Sequence, residues 1–480
     1  MHTVVIGNGI IGLTIAFRLA KKAGSEDRIS VVGGKSRAGS ATLAAGAMLN
    51  SFAEIEKGSL DNEIDLYKFE LSYLATKMWP RFEDEIIAAA GADLPLGCKS
   101  CQGFSGGGCV DTGTYVVNNV AADDLDDQNF DAILMALKEF SEPYKLVSPG
   151  DIPNYKPEQR YRATRALYIE NEGWFNPRLM LEKLEAALAN FSQVNFIDSD
   201  VVDLKSNGSA IESATLMSGE KIYADNFIVA VGSAASKLIA VSKLGFSIPK
   251  IFNGVGVSLE ISTGNFNHKK CIRTPNRGLA CGIYTVPYFN EPGSSSILIG
   301  ATNYVSVDPV FNARISSVES LLRASMEQIN VEFYKAELKR VNVGLRPISQ
   351  DTYPVIGKTE LDNLIVVTGT KRDGFHLSPL ISTYVADMIY GDPIDDRLLT
   401  FSPKRSLIRS LSRAQAVEMG VKHQMSAAYQ HGFIPSQGRM VKNMEKMLRD
   451  DLESLHDEVG AIEWGVPPEM IDMYRYGHAK

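Results

Sequence analysis

Residues 2–22 constrain this chain more than any other stretch. His2-Thr3-Val4-Val5-Ile6 reads as a short apolar strand. It runs directly into Gly7-Asn8-Gly9-Ile10-Ile11-Gly12 and then into an amphipathic helix from Thr14 to about Lys22. A GxGxxG turn set between a strand and a helix is the context of a dinucleotide-binding unit. Gly7 permits the tight turn, Gly9 lets the backbone approach a pyrophosphate, and Gly12 lets the helix pack closely on the strand. The unpaired N–H groups and the positive end of the helix dipole then face the phosphates. The competing reading is a tight strand-to-helix turn with no ligand.

No charged n-region or apolar h-region precedes this strand, and no stretch approaches the roughly 20 apolar residues of a membrane-spanning helix. The expectation is a soluble, cytoplasmic protein. At 480 residues the chain can form two or three domains. A net charge of −8 argues against nucleic acid or an anionic membrane as the main partner. Five cysteines, an odd number, argue against a disulfide framework. Cys98-Lys99-Ser100-Cys101 with Cys109 forms a CxxC plus one. Zinc needs a fourth ligand, which no nearby pair or histidine supplies, so these read as free thiols in a glycine-rich loop and no metal is expected.

The second strand, Arg28 to Val32, ends in Gly33-Gly34, where an acidic residue usually binds the adenosine ribose. The ribose contact is then expected from Lys35 or Ser36, or is absent. The next segment, Ala41 to Leu49, is small and apolar, which lets a flat ring lie against the backbone. Downstream, Tyr223 to Gly232 reads as a buried strand ending in glycine. Gly344-Leu345-Arg346-Pro347 precedes Asp351 and Tyr353-Pro354-Val355-Ile356-Gly357. Thr368-Gly369-Thr370-Lys371-Arg372-Asp373-Gly374-Phe375-His376-Leu377-Ser378-Pro379 follows a strand, Leu364–Val367, and opens a helix, Leu380–Ile389.

The order of these segments resembles the D-amino-acid oxidase superfamily of FAD-dependent amine oxidoreductases, most closely its glycine oxidase and sarcosine oxidase branch. Two further segments carry the resemblance. Glu172-Gly173-Trp174-Phe175-Asn176-Pro177-Arg178 is similar to that family's "EGxxNPR" element. Tyr284-Thr285-Val286-Pro287, with Ile297 to Thr302, is similar to its substrate-domain hairpin. The likeness spans residues 1 to about 400. It implies an α/β fold in which a Rossmann-like FAD domain (1–50, 165–240, 340–400) interleaves with an α+β substrate domain (51–164, 241–339) carrying a large mixed sheet. A long helical run, Leu60–Ala90, and a β-rich stretch, 250–310, fall in the substrate domain.

The resemblance also implies a cofactor, FAD, and its contacts. Gly7, Gly9, Ile10, Ile11, Gly12, Gly33 and Lys35 belong to the nucleotide turn and its neighbour. Thr42, Ala45, Gly46 and Met48 lie along the small apolar segment. Val201, Val231 and Gly232 come from the middle of the chain, and Arg346, Asp373, Gly374, Phe375, His376 and Leu377 from its later motifs. The segment after Arg346 holds no cysteine, and residues 35–49 hold neither cysteine nor histidine, so the FAD is expected to be non-covalent.

Arg346 matches the family's "GLRP" arginine, which pairs with the substrate carboxylate; a planar guanidinium suits that task. A salt bridge with Asp351 is the alternative. Arg372 matches the "RNG" arginine, but Asp373 replaces the usual asparagine and is a competing partner for it. His376 stands where the family has an aliphatic residue, as a donor to the flavin or a structural histidine. Tyr284 is expected either to line the substrate pocket or to be a core tyrosine. Trp174 and Phe175 read as aromatic core first and as pocket walls second.

The activity this implies is oxidation of the C–N bond of an amino acid or N-substituted amino acid by hydride transfer to flavin, with O2 as the expected reoxidant. A 2-hydroxy-acid dehydrogenase and a flavin-binding subunit with little activity of its own are the alternatives. Beyond residue 403 the resemblance ends. Met444, Leu448, Leu452, Leu455 and Val459 recur at helical spacing. They predict a helical extension that packs on its own body or serves as a homo-oligomer or partner-subunit contact.

Overall fold

The computed structural model describes residues 1–95, 111–264, 268–288 and 296–479. The CxxC pair and Cys109 lie outside the described residues. Two sheets organise the chain. The first has six strands in the order Val355–Lys358, Leu364–Thr368, Asn226–Val229, His2–Ile6, Arg28–Val32, Val194–Ile197. The inner ladders are parallel, and only Val355–Lys358 runs antiparallel to its neighbour. Its strands are nearly continuous β-branched and aliphatic runs because both faces are covered.

Alternate side chains of these strands enter two different cores. Val5, Val31, Ile228, Ile365 and Val367 pack under the helices Ile10–Lys22, Pro177–Ala189 and Ser378–Tyr390. Val4, Ile6, Val32, Phe227, Val229 and Val366 face a small antiparallel sheet, residues 201–222, and the helix Ala235–Val241. This is the period-2 alternation of a strand buried twice.

The second sheet is ten-stranded and mixed. Its spine is the ladder between Ile251–Ser262 and Glu337–Ser349, paired over their full length with one irregularity at Glu260/Ile261. Arg165–Trp174 and residues 340–349, expected with the FAD domain, pair into this second sheet. The helix forms, as Glu63–Ala90 with an Asn62 cap, and bridges both cores. Tyr67, Leu71, Trp79, Phe82 and Ile86 pack into the core of the first sheet, while Phe69 packs with Val116, Phe130, Leu167 and Ile169 beside the second. Strand partners and helix docking are non-local choices that local pattern does not encode.

The extension is helical and packs on its own body. Arg413–Gln430 begins with a capping box between Ser412 and Gln415. It packs with Gly438–Glu458 and Ile471–Arg475 around Val417, Val421, Leu452, Leu455 and Met470, which close over Phe252 and Ile348 of the second sheet. No helix among the described residues is long and apolar enough to cross a membrane.

One ion pair lies wholly inside this body. Lys183 Nζ sits 2.5 Å from Glu83 Oε1, with both side chains fully buried, and joins the long helix to Pro177–Ala189. Lys183→Met leaves the Glu83 carboxylate without its cation and is expected to cost about 3–5 kcal/mol. A fall in the thermal midpoint of the single variant, largely reversed in Lys183→Met/Glu83→Leu, is the expected outcome.

Candidate active site

The nucleotide turn is built by backbone contact. Gly7 has φ +117°, and a Cβ there would lie 2.3 Å from the Ala230 carbonyl oxygen. A Cβ on Gly12 would lie 1.9 Å from the Gly7 oxygen. At Gly9, by contrast, a Cβ would meet only the Thr42 hydroxyl, at 3.4 Å, so that face stays open. The helix starting at Ile10 has no side-chain cap and no acid in its first turn. The Thr42 hydroxyl lies 3.2 Å from the Ile10 amide, which donates to it. This N-terminus, open at Gly9 and without an acid in its first turn, fits a pyrophosphate. Val231 N lies 3.2 Å from where a Cβ on Gly7 would stand, and Thr368 Oγ1 donates to the Gly232 carbonyl.

The missing ribose acid has a steric counterpart. A Cβ on Gly33 would fall 2.5 Å from Cγ of Asn8, whose amide donates to the Gly34 carbonyl. Asn8 therefore occupies the room that a side chain at 33 would need. Lys35 is 84% exposed and reaches only Asp198, while Asp200, next to Val201, accepts weakly from the Gly34 amide. Asp198 and Asp200 thus bring carboxylates beside the second strand from a different part of the chain, a placement that spacing from the glycines does not reveal.

The small apolar segment is held by its carbonyls. Ser258 Oγ donates to Ala44 O at 2.9 Å, Tyr288 Oη to Ala45 O at 2.8 Å, and Arg178 to Leu43 O at 3.5 Å. Met48 lies beside Cys271, with Sδ and Sγ 3.4 Å apart. A Cβ on Gly46 would press on the Tyr284 ring at 2.8 Å, and one on Gly300 would lie 2.2 Å from the Tyr284 hydroxyl. Tyr284 is therefore a buried tyrosine clasped between two glycines, and burial pushes its hydroxyl up to about 12 while Arg346 pulls the other way.

Arg346 is half-buried, and its guanidinium lies over Gly256, where a Cβ would come within 2.4 Å of it. It donates to Thr302 O and to Asn303 Oδ1, both at 3.1 Å. Asp351 does not compete for it, because Arg405 takes both Asp351 oxygens. Among the described residues Arg346 has no carboxylate partner within ion-pair distance. Lys371 donates its amide to Pro347 O, which ties the Thr368–Pro379 segment to the same place.

Arg372 is not held by Asp373, which instead faces Lys68 at 3.6 Å. It donates to Asn276 Oδ1 (3.1 Å) and Gly278 O (2.9 Å), and pairs with Glu469 of the extension at 3.3 Å. Glu54 lies 3.9 Å away and also pairs with the buried Arg273 at 2.5 Å. Glu54, Arg273 and Glu469 carry no motif and were not among the expected site residues.

His376 was expected either as a donor to the flavin or as a structural histidine, and its ring contacts fit the second reading. Its imidazole is buried and both ring nitrogens are engaged by the long helix, Nε2 with Thr76 at 2.7 Å and Nδ1 with Ser72 at 3.3 Å. Burial lowers its pKa to about 4. Phe375 and Leu377 are core residues, Phe375 stacking on Trp79 with centroids 5.7 Å apart. Gly374 keeps its backbone close to Thr370 Oγ1, 2.7 Å from where a Cβ would stand.

Glu172 anchors the loop that presents Glu54. It accepts from the Phe52 amide at 2.5 Å and the Ala53 amide at 3.3 Å. Burial raises its pKa to about 8, against these amides and Arg273. The folded state thus favours the protonated acid. Its contribution is complete below about pH 4.5 and is lost as pH rises towards 8. Glu172→Gln is expected to flatten that part of the stability–pH profile, measured as thermal midpoints from pH 4.5 to 8.5. Gly33→Asp is expected to lower the flavin-to-protein absorbance ratio through its clash with Asn8, and Asn8→Gly added to it to restore the ratio.

The sequence matches the DAO family, described as FAD dependent oxidoreductase, over residues 2–388. It is 24% identical over 394 residues to the glycine oxidase of Geobacillus kaustophilus (strain HTA426), covering 80% of this chain and 92% of that one. It is 28% identical over 204 residues to a D-amino acid dehydrogenase of Vibrio atlanticus (strain LGP32), 42% of this chain and 46% of that one. The solved glycine oxidase from Geobacillus kaustophilus superposes with a TM-score of 0.68 at 21% identity, over 85% of this chain and 99% of that one. An iminodiacetate oxidase from Chelativorans sp. BNC1 does so with 0.66 at 18%, over 84% and 99%. The extension lies beyond the matched residues. The family match over residues 2–388 makes the chain a member of the DAO family of FAD-dependent oxidoreductases, of the glycine oxidase and amino-acid oxidase kind, with FAD as its cofactor.

Proposed function

We propose that this enzyme oxidises the C–N bond of an amino acid or N-substituted amino acid whose carboxylate binds Arg346. The observation that carries the reading is the state of that arginine. It is a half-buried guanidinium, pre-set by Thr302 and Asn303, and the acid expected to compete for it, Asp351, is taken by Arg405. A planar carboxylate is the partner such a fork accepts.

Bound FAD supplies the two-electron acceptor. The chain's own residues do the rest. Gly7, Gly9, Gly12 and the amides that follow hold the pyrophosphate. Segment 43–46 and the backbone of 373–377 hold the ring system. Arg346 fixes the carboxylate, and Tyr284 walls the pocket beside it. The neutral amine loses a proton from nitrogen and a hydride from the α-carbon, leaving an imine. Water adds to the imine and releases ammonia or a primary amine with a 2-oxo acid. O2 accepts the two electrons with two protons and leaves as H2O2.

Anaerobic mixing of the holoenzyme with amino acids and N-methyl amino acids tests this. Bleaching of the flavin band by an amine, with kcat/KM about 10²- to 10³-fold lower in Arg346→Ala at unchanged flavin content, is the expected result. Bleaching only by 2-hydroxy acids, or full rates in Arg346→Ala, would overturn it.

A further inference from the structure

Three neighbouring strands of the first sheet end together at one edge. His2–Ile6, Arg28–Val32 and Val194–Ile197 run parallel, with Ile6 opposite Val32 and Val32 opposite Ile197. Gly7, Gly33 and Asp198 therefore leave the sheet side by side at its carboxyl edge. Backbone bonds lock them there: the Gly7 amide donates to Val32 O at 2.8 Å, and the Gly33 amide to Ile197 O at 3.1 Å. Ligands of open α/β sheets lie outside this edge. The pyrophosphate turn takes the end of the first strand, and the acid that binds the adenosine ribose ordinarily stands at the end of the second. Here that place is Gly33, and Asn8 fills its side-chain room.

The third strand brings a carboxylate to the same edge. The Asp200 carbonyl accepts from the Met217 amide at 2.9 Å and from Ser199 Oγ at 3.3 Å, which fixes its backbone. Its side chain reaches back to the second strand, with Oδ1 3.4 Å from the Gly34 amide and 3.4 Å from where a Cβ on Gly34 would stand. Asn8 of the pyrophosphate turn holds Gly34 as well, donating to its carbonyl at 3.1 Å. Asp198 takes the next amide, Lys35, at 2.9 Å. The two acids differ in what they leave over. Asp198 also faces the Lys35 ammonium, at 3.8 Å. Asp200 is exposed, has no cation within ion-pair distance among the described residues, and accepts through Oδ1 alone, over that one long bond. Its Oδ2 is free to take a hydroxyl, and a hydroxyl bonded to a carboxylate makes one of the stronger hydrogen bonds.

We propose that Asp200 is the ribose acid of this chain, its carboxylate accepting from the adenosine ribose hydroxyls of FAD in place of the side chain absent at Gly33. Asp198 holds the turn through the Lys35 amide, and Asn8 keeps position 33 free of a side chain. Lys35, the contact expected from the sequence, has no part in it. The assignment concerns the cofactor and not Arg346, so its failure leaves the substrate reading untouched.

The test measures flavin affinity, not turnover. The full-length protein, stripped of flavin, is titrated with FAD and with the FAD analogue built on 2′,3′-dideoxyadenosine, and binding is followed by the change in flavin fluorescence. The unaltered protein is expected to bind FAD at least about tenfold more tightly than the analogue. In Asp200→Ala the affinity for FAD is expected to fall to that for the analogue, which itself binds as before. Lys35→Ala is expected to keep the full preference. Equal affinity for the two flavins in the unaltered protein, or a preference that survives in Asp200→Ala, would overturn the assignment. So would an Asp200→Ala protein that loses affinity for both flavins alike, which marks damage to the fold, or a preference abolished by Lys35→Ala alone.

Discussion

The antiparallel ladder between Ile251–Ser262 and Glu337–Ser349 fixes the place of Arg346 and of the segments that surround it. Its register sets Arg346 opposite Gly254. The guanidinium then lies across Gly256, two residues along, and meets Thr302 and Asn303 on the neighbouring segment. A one-residue slip would turn Arg346 to the other face of the sheet. The same ladder touches the nucleotide side, where Gly344 lies against Ala41 and Ala44, and the extension side, where Phe252 and Ile348 enter the extension's core. One pairing therefore joins cofactor segment, anchor and extension.

Much of the first sheet was legible in the sequence because its signals are local. The Gly7–Gly12 turn follows a strand and opens a helix within a dozen residues, and the runs at Arg28–Val32 and Leu364–Thr368 are short, apolar and β-branched. The helix after Asn62 and the amphipathic pattern through Leu452 and Leu455 were legible for the same reason. What pattern did not yield was pairing. Arg165–Trp174 and the start of Glu337–Ser349 look like strands of any sheet, and only their partners, far away in sequence, decide which one.

The site divides in the same way. Motif positions such as Arg346 and Tyr284 were marked by their neighbours. Glu54, Arg273 and Glu469 had no such mark, because each earns its position through a partner from another segment. His376 was read from its place at the start of a helix. Its ring was captured by Ser72 and Thr76 from a helix some 300 residues earlier, which no local rule anticipates.

The contact between Glu469 and the Lys371–Arg372 pair also bears on the order in which the molecule becomes complete. Those two cations belong to the connection between the first-sheet strand Leu364–Thr368 and the helix Ser378–Tyr390, yet the acid that neutralises them is made almost a hundred residues later. During synthesis, which runs at about 5–20 residues per second, the body can assemble before that acid exists. Until it arrives, the two cations lack it as a buried counter-charge. Docking of the extension is thus coupled by charge to the segment that carries Lys371 and Arg372.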